Sequence, residues 1–169
     1  MQSEAIEATD SVGNCLRLEF IWRTDRYAQR ISLIDAAAVI QPLLESIEGT
    51  PIDPWPPSPP LQSLTIETRP DGRCVALLLG MAGGSHWSAS IEAVAGKAEL
   101  IVDIACRHGA NPGTLGSRYQ RLTDSTDQLQ IRADSATVSH QESVVDIQPS
   151  DAAVSATNTR WRFTLCAES

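Results

Sequence analysis

Ser88, His86 and Asp103 are the residue types of a nucleophile, a general base and the carboxylate that orients it. Their spacing brings them together if segment 85–94 turns at Ala95-Gly96 and pairs antiparallel with the strand that follows. In that register Ser88 faces Asp103 and His86 faces Ala105. Asp103 and Arg107 then become diagonal neighbours of His86, about 7–8 Å away at Cα. Cys106 is a second candidate nucleophile, with His108 two residues on and so on the same face of a continuing strand. A hydrolase built on His86 and Asp103 with Ser88 or Cys106 is therefore one reading. Against it, a mid-strand serine has neither the strained turn nor the oxyanion donors that nucleophilic serines use. The competing reading is a structural histidine with a carboxylate partner, and no residue is assigned a catalytic role.

Arginine supplies a different chemistry. Of thirteen basic residues twelve are Arg and one is Lys97, a bias that high-GC, bacterial-like codon usage produces and that furnishes planar forks suited to carboxylate or phosphate. Alternation places Arg17, Arg23, Arg26 and Arg30 on one face of a hairpin with only Glu19 among them, and Arg160 and Arg162 alternate in the last strand. Clustered guanidinium groups need an anionic partner. This makes Arg23, Arg26, Arg30 and Arg107 the candidate contacts for a small anionic ligand or an acidic protein group. The alternatives are internal: the acidic segment 124–151 lying across that face, or Arg stems covering the sheet and reaching water.

Other site chemistries lack support. Cys15, Cys74, Cys106 and Cys166 show no zinc spacing, so they read as free thiols. His86, His108 and His140 show no ligand spacing either, so no metal is expected. The glycines at 80, 83 and 84 do not form a phosphate-binding motif, and no cofactor is implied.

Periodicity of two dominates the elements that would carry these residues. Segment 15–23 alternates Leu16, Leu18, Phe20 and Trp22 against Arg17, Glu19, Ile21 and Arg23. A two-residue turn at Thr24-Asp25 pairs Trp22 with Tyr27, Leu18 with Ile31 and Glu19 with Arg30. Pro70-Asp71-Gly72 is a strong turn signal and opens a meander over 61–107. Within it 74–79, apolar at every position, predicts a strand covered on both faces. Further strands are expected at 115–122, 128–133, 136–147 and 159–167. Asp35 would cap a short helix near 36–48, a hairpin through Leu43, Glu45 and Ile47 being the alternative. Six prolines in 51–60 predict a stiff strap laying Trp55 on the core, or, through the PxxP spacing of Pro54 to Pro57, a docking peptide. The four tryptophans read mainly as core anchors.

These elements predict a mostly all-β fold, an antiparallel two-sheet sandwich or a flattened barrel of about nine or ten strands. At 169 residues one domain is expected, 14–169, after an acidic, flexible tail at 1–13. The 42% hydrophobic and 20% charged content excludes a chain disordered throughout. A net charge of -8 argues against nucleic acid as partner. That charge is uneven: 14–123 holds ten bases against eleven acids, while 124–151 holds one against six. The absence of an eighteen-residue apolar run argues against a membrane span, and the acidic start argues for the cytoplasm. A soluble, non-enzymatic binding module is the leading expectation. The alternatives are the hydrolase and an oligomerising structural protein whose sheet edges pair.

Overall fold

The computed structural model describes residues 3–124 and 126–168. Thirteen strands run through them: β1 (Glu4–Thr9), β2 (Cys15–Arg23), β3 (Arg26–Ile34), β4 (Ile40–Ser46), β5 (Leu61–Thr68), β6 (Cys74–Ala82), β7 (Ser85–Ala93), β8 (Glu99–Arg107), β9 (Ser117–Arg121), β10 (Leu129–Ala133), β11 (Ala136–Gln141), β12 (Val144–Pro149) and β13 (Asn158–Ala167). They form two antiparallel sheets, ordered β1-β2-β3-β4-β9-β12-β11 and β10-β13-β8-β7-β6-β5. The expected sandwich is present, and neither sheet closes into a barrel. No helix among the described residues is long and apolar enough to cross a membrane.

Alternation builds the core. Leu16, Leu18 and Phe20 of β2 and Ile31 of β3 face Ile91 of β7, Val102 and Ile104 of β8, and Trp161, Phe163 and Leu165 of β13, all essentially inaccessible. Burying each such side chain contributes about 1.5–3 kcal/mol. Trp161 keeps its polar handle satisfied, its Nε1–H donating to Ser117 Oγ at 3.2 Å. The β2–β3 register is as expected, with Leu18 opposite Ile31 and Glu19 opposite Arg30. Trp22 meets Tyr27 edge-on at 4.9 Å, but it is 40% exposed and anchors no core.

Five expectations are corrected. The acidic tail is instead β1, because Ile6 and Ala8 alternate with its glutamates and are buried. The short helix near 36–48 is absent. Asp35 does cap, but Oδ1 accepts the N–H groups of Ala37 and Val39, and Ala38 at φ 62° reverses the chain into β4. A bulge between Ile31 and Ser32 then lets consecutive Leu43 and Leu44 both be buried. Segment 136–147 is not one strand: it breaks at Glu142, φ 43°, into the β11–β12 hairpin. Strand β6 is covered on its inner face only, with Leu77, Leu79 and Met81 being 39%, 61% and 50% exposed. Finally, the β7–β8 connection is longer than two residues. Val94 N–H donates to Glu99 O at 3.0 Å, and Gly96 takes φ 69°. Pairing thereby shifts by two residues, about 7 Å along the strand, with every side chain keeping its face.

The proline segment is a strap between sheets. Ser58 Oγ donates to Arg118 O at 2.9 Å and accepts the Arg118 N–H at 3.2 Å. Trp55 is half-buried, edge-on to Trp87 at 6.0 Å, and Pro56, Pro59 and Pro60 are buried. The strand beneath must lack a side chain there: a Cβ on Gly80 would lie 1.8 Å from Pro60 O.

Candidate functional site

The Arg face of the first sheet is compensated from within that sheet. Arg23 and Arg30 share Glu45 of β4, at 3.0 Å and 2.7 Å, and Arg17 lies 3.2 Å from both Glu7 of β1 and Glu19. Arg26 is only 2% exposed. Its Nε and Nη2 grip Asp25 at 2.9 and 2.8 Å, and Nη2 also donates to Thr50 O at 3.1 Å. That grip holds the Asp25 carboxyl below its ordinary range, the hydrogen bond from Arg26 being the main cause. Among the described residues, no hydrogen-bond or ion-pair partner of these four guanidinium groups lies in 124–151. Arg26 instead anchors the start of the strap.

Arg26 borders a buried polar pocket of the fold. Glu48 Oε1 accepts the Ser46 hydroxyl at 2.5 Å, Ser46 Oγ accepts Gln29 N–H, and Tyr119 OH donates to Gln29 Oε1 at 2.8 Å. Glu48 Oε2 and Arg26 Nη1 are both buried without a partner. Burial pushes the Glu48 carboxyl up to about 7, against the lowering effect of the Ser46 hydroxyl and the Arg26 charge. Loss of water likewise raises the phenol of Tyr119 well above its usual range.

The catalytic candidates do not assemble. His86 faces Arg107, Ser88 faces Ala105, and Asp103 faces Ser90. Asp103 is thus four residues from Arg107, about 13 Å along the strand from the row that holds His86. Its carboxylate is held by Arg160, Nε and Nη2 donating at 2.8 and 2.6 Å. Cys106 points to the opposite face, buried among core residues, and burial lifts its thiol to about 12, far from a thiolate. His108 is spent structurally: Nδ1–H donates to Gly109 O at 2.7 Å, and Nε2 shares a hydrogen bond with the Thr159 hydroxyl at 2.8 Å. His140, on β11, contacts Arg121 at 2.6 Å. The three histidines therefore occupy three separate places, and among the described residues no group of three or more metal-ligating side chains is present.

What the register does gather is the outer face of the second sheet. One cross-strand row runs Ser63, Leu79, Ser88, Ala105, Arg160, and the next runs Thr65, Leu77, Ser90, Asp103, Arg162. Short Ser88, Ser90 and Ala105 make the floor. Leu77 and Leu79 rise on one side, and the Asp103–Arg160 pair rises on the other. Together with neighbouring residues they outline an open depression of about 760 Å³. A third row, Met81, His86, Arg107, Asn158, lies beside the first, and of these four Asn158 lines the depression. Among the described residues neither the His86 nor the Arg107 side chain has a hydrogen-bond or ion-pair partner, and both residues are exposed. Sequence reasoning had His86, Ser88, Asp103 and Arg107 as candidates and missed Leu77, Leu79 and Met81, whose exposure depends on what lies over β6. No protein-family model, curated protein or solved structure matches this chain.

Proposed function

We propose that this protein is a non-enzymatic binding module whose site is the outer face of the second sheet. The ligand class is a small amphipathic anion. Its carboxylate or phosphate meets Arg107 beside His86, and its apolar body lies over Leu77 and Leu79. The observation that carries this reading is the meeting of an exposed apolar row with a cationic end to which no described residue supplies a counter-charge. Most other guanidinium groups are held in close ion pairs, as in Arg160 with Asp103 and Arg30 with Glu45, exposed Arg69 being an exception. Burying apolar area supplies affinity there, and a charge-assisted fork supplies orientation.

Calorimetry against a series of alkyl and aryl carboxylates and phosphates tests it. Tight members should raise the melting temperature, and Arg107→Met should weaken them by about tenfold to a hundredfold, the loss expected for one charge-assisted contact. Leu79→Ser should weaken long-chain members more than short ones. Binding that is indifferent to both substitutions, or absent across the series, overturns the proposal.

A further inference from the structure

The sandwich has four edge strands, and three are guarded. β1 carries two glutamates in six residues. β10 and β11, five and six residues long, lie against each other at one flank. β5 is different. It is eight residues long, its only charge is Glu67, and Leu64 and Ile66 on its inner side are only half-buried. Its bulge between Leu61 and Ser63 is already satisfied on the β6 side, where the Gln62 amide donates to Met81 O at 3.2 Å and accepts Met81 N–H at 3.1 Å. From 63 to 68 β5 has β6 as its only strand partner among the described residues, which leaves its other edge without ladder hydrogen bonds while β3 of the facing sheet lies near it.

We infer that β5 pairs antiparallel with β5 of a second copy of this chain, about a two-fold axis at Thr65. The occupant follows from the strand's own sequence. With Thr65 opposite its equivalent, Leu64 meets Ile66 of the other copy on the inner side, so the two half-exposed apolar residues cover each other. On the outer side Ser63 meets Glu67, and no like charges face one another. A two-fold interface requires this kind of self-complementarity, and a closed pair removes both open edges at once. The two six-stranded sheets become continuous, with both outer faces on the same side.

Sedimentation velocity across the micromolar range tests the pairing. The wild-type chain should dimerise. Thr65→Lys sets two ammonium groups face to face and should raise the dimer dissociation constant about tenfold or more. Because Thr65 is exposed in the single chain, circular dichroism and melting of the Thr65→Lys monomer should match those of dilute wild type. Ser63→Lys, placed opposite Glu67, should dimerise at least as tightly as wild type. A chain monomeric throughout overturns the inference. So does a dimer that survives Thr65→Lys but dissolves with Leu79→Ser, since that result means the sheet faces stack instead.

Discussion

Glu48 shows how one side chain sets a pH dependence. In the unfolded chain its carboxyl ionises near 4.5, and in the fold burial moves this to about 7. Between those values the folded protein holds a proton that the unfolded chain has released. Stability therefore falls as pH rises through that window and levels off above it. Glu48→Gln removes the ionisation while keeping an acceptor for the Ser46 hydroxyl. It should stabilise the protein by about 2 kcal/mol at pH 8, a fraction of the full linkage because the side chain is not sealed from water, and leave it unchanged at pH 4. Urea titrations of both proteins at the two pH values check this; equal differences at both would remove Glu48 from the account. At this scale the sequence was a partial guide. It singled out Arg107 and His86 from residue type and alternation, but nothing in it marks Glu48 as buried, because the chain around it reads as a short helix, with a hairpin as the alternative.

Connections decided the outcome at the scale of elements. The β2–β3 hairpin was legible because a two-residue turn at Thr24-Asp25 matches both faces at once. The β7–β8 hairpin was not: shifting by two residues preserves every inward and outward assignment, so alternation alone cannot choose between registers. That shift is what separates Asp103 from His86 and dissolves the hydrolytic trio. The internal partners of the Arg face were hidden for a related reason. Its partners Glu7 and Glu45 lie on β1 and β4, two elements whose sequences read as tail and helix. The strap gives the element-scale prediction. Gly80→Ala would push a methyl into the Pro60 carbonyl, where backbone rather than a mobile side chain must yield. A loss of about 2–4 kcal/mol is expected in urea unfolding, as for other overpacked sites, with Gly72→Ala in the open Pro70-Asp71-Gly72 turn costing less.

For the whole molecule, covalent cross-links are not among the stabilising forces. Cys15, Cys106 and Cys166 are buried and Cys74 is half-buried, all as free thiols. Reductant should leave the melting temperature unchanged, and brief alkylation of the native protein should label Cys74 first; a melting temperature that drops with reductant would contradict this. The sandwich is instead held by alternating apolar faces, and those were written in the sequence by itself: strict period two in β2, β7, β8 and β13 dictates strands with one buried face, and two such sheets have only each other to cover them. Turn chemistry at Pro70-Asp71-Gly72 and the stiffness of the proline strap were equally local and equally legible. Tertiary structure alone decided which outer face stays open. Leu77 and Leu79 are as apolar as the core residues beside them, and no local signal distinguishes them. Their exposure, and the site proposed on it, follow from the topology, which lays the first sheet over one side of β6 and no described element over the other.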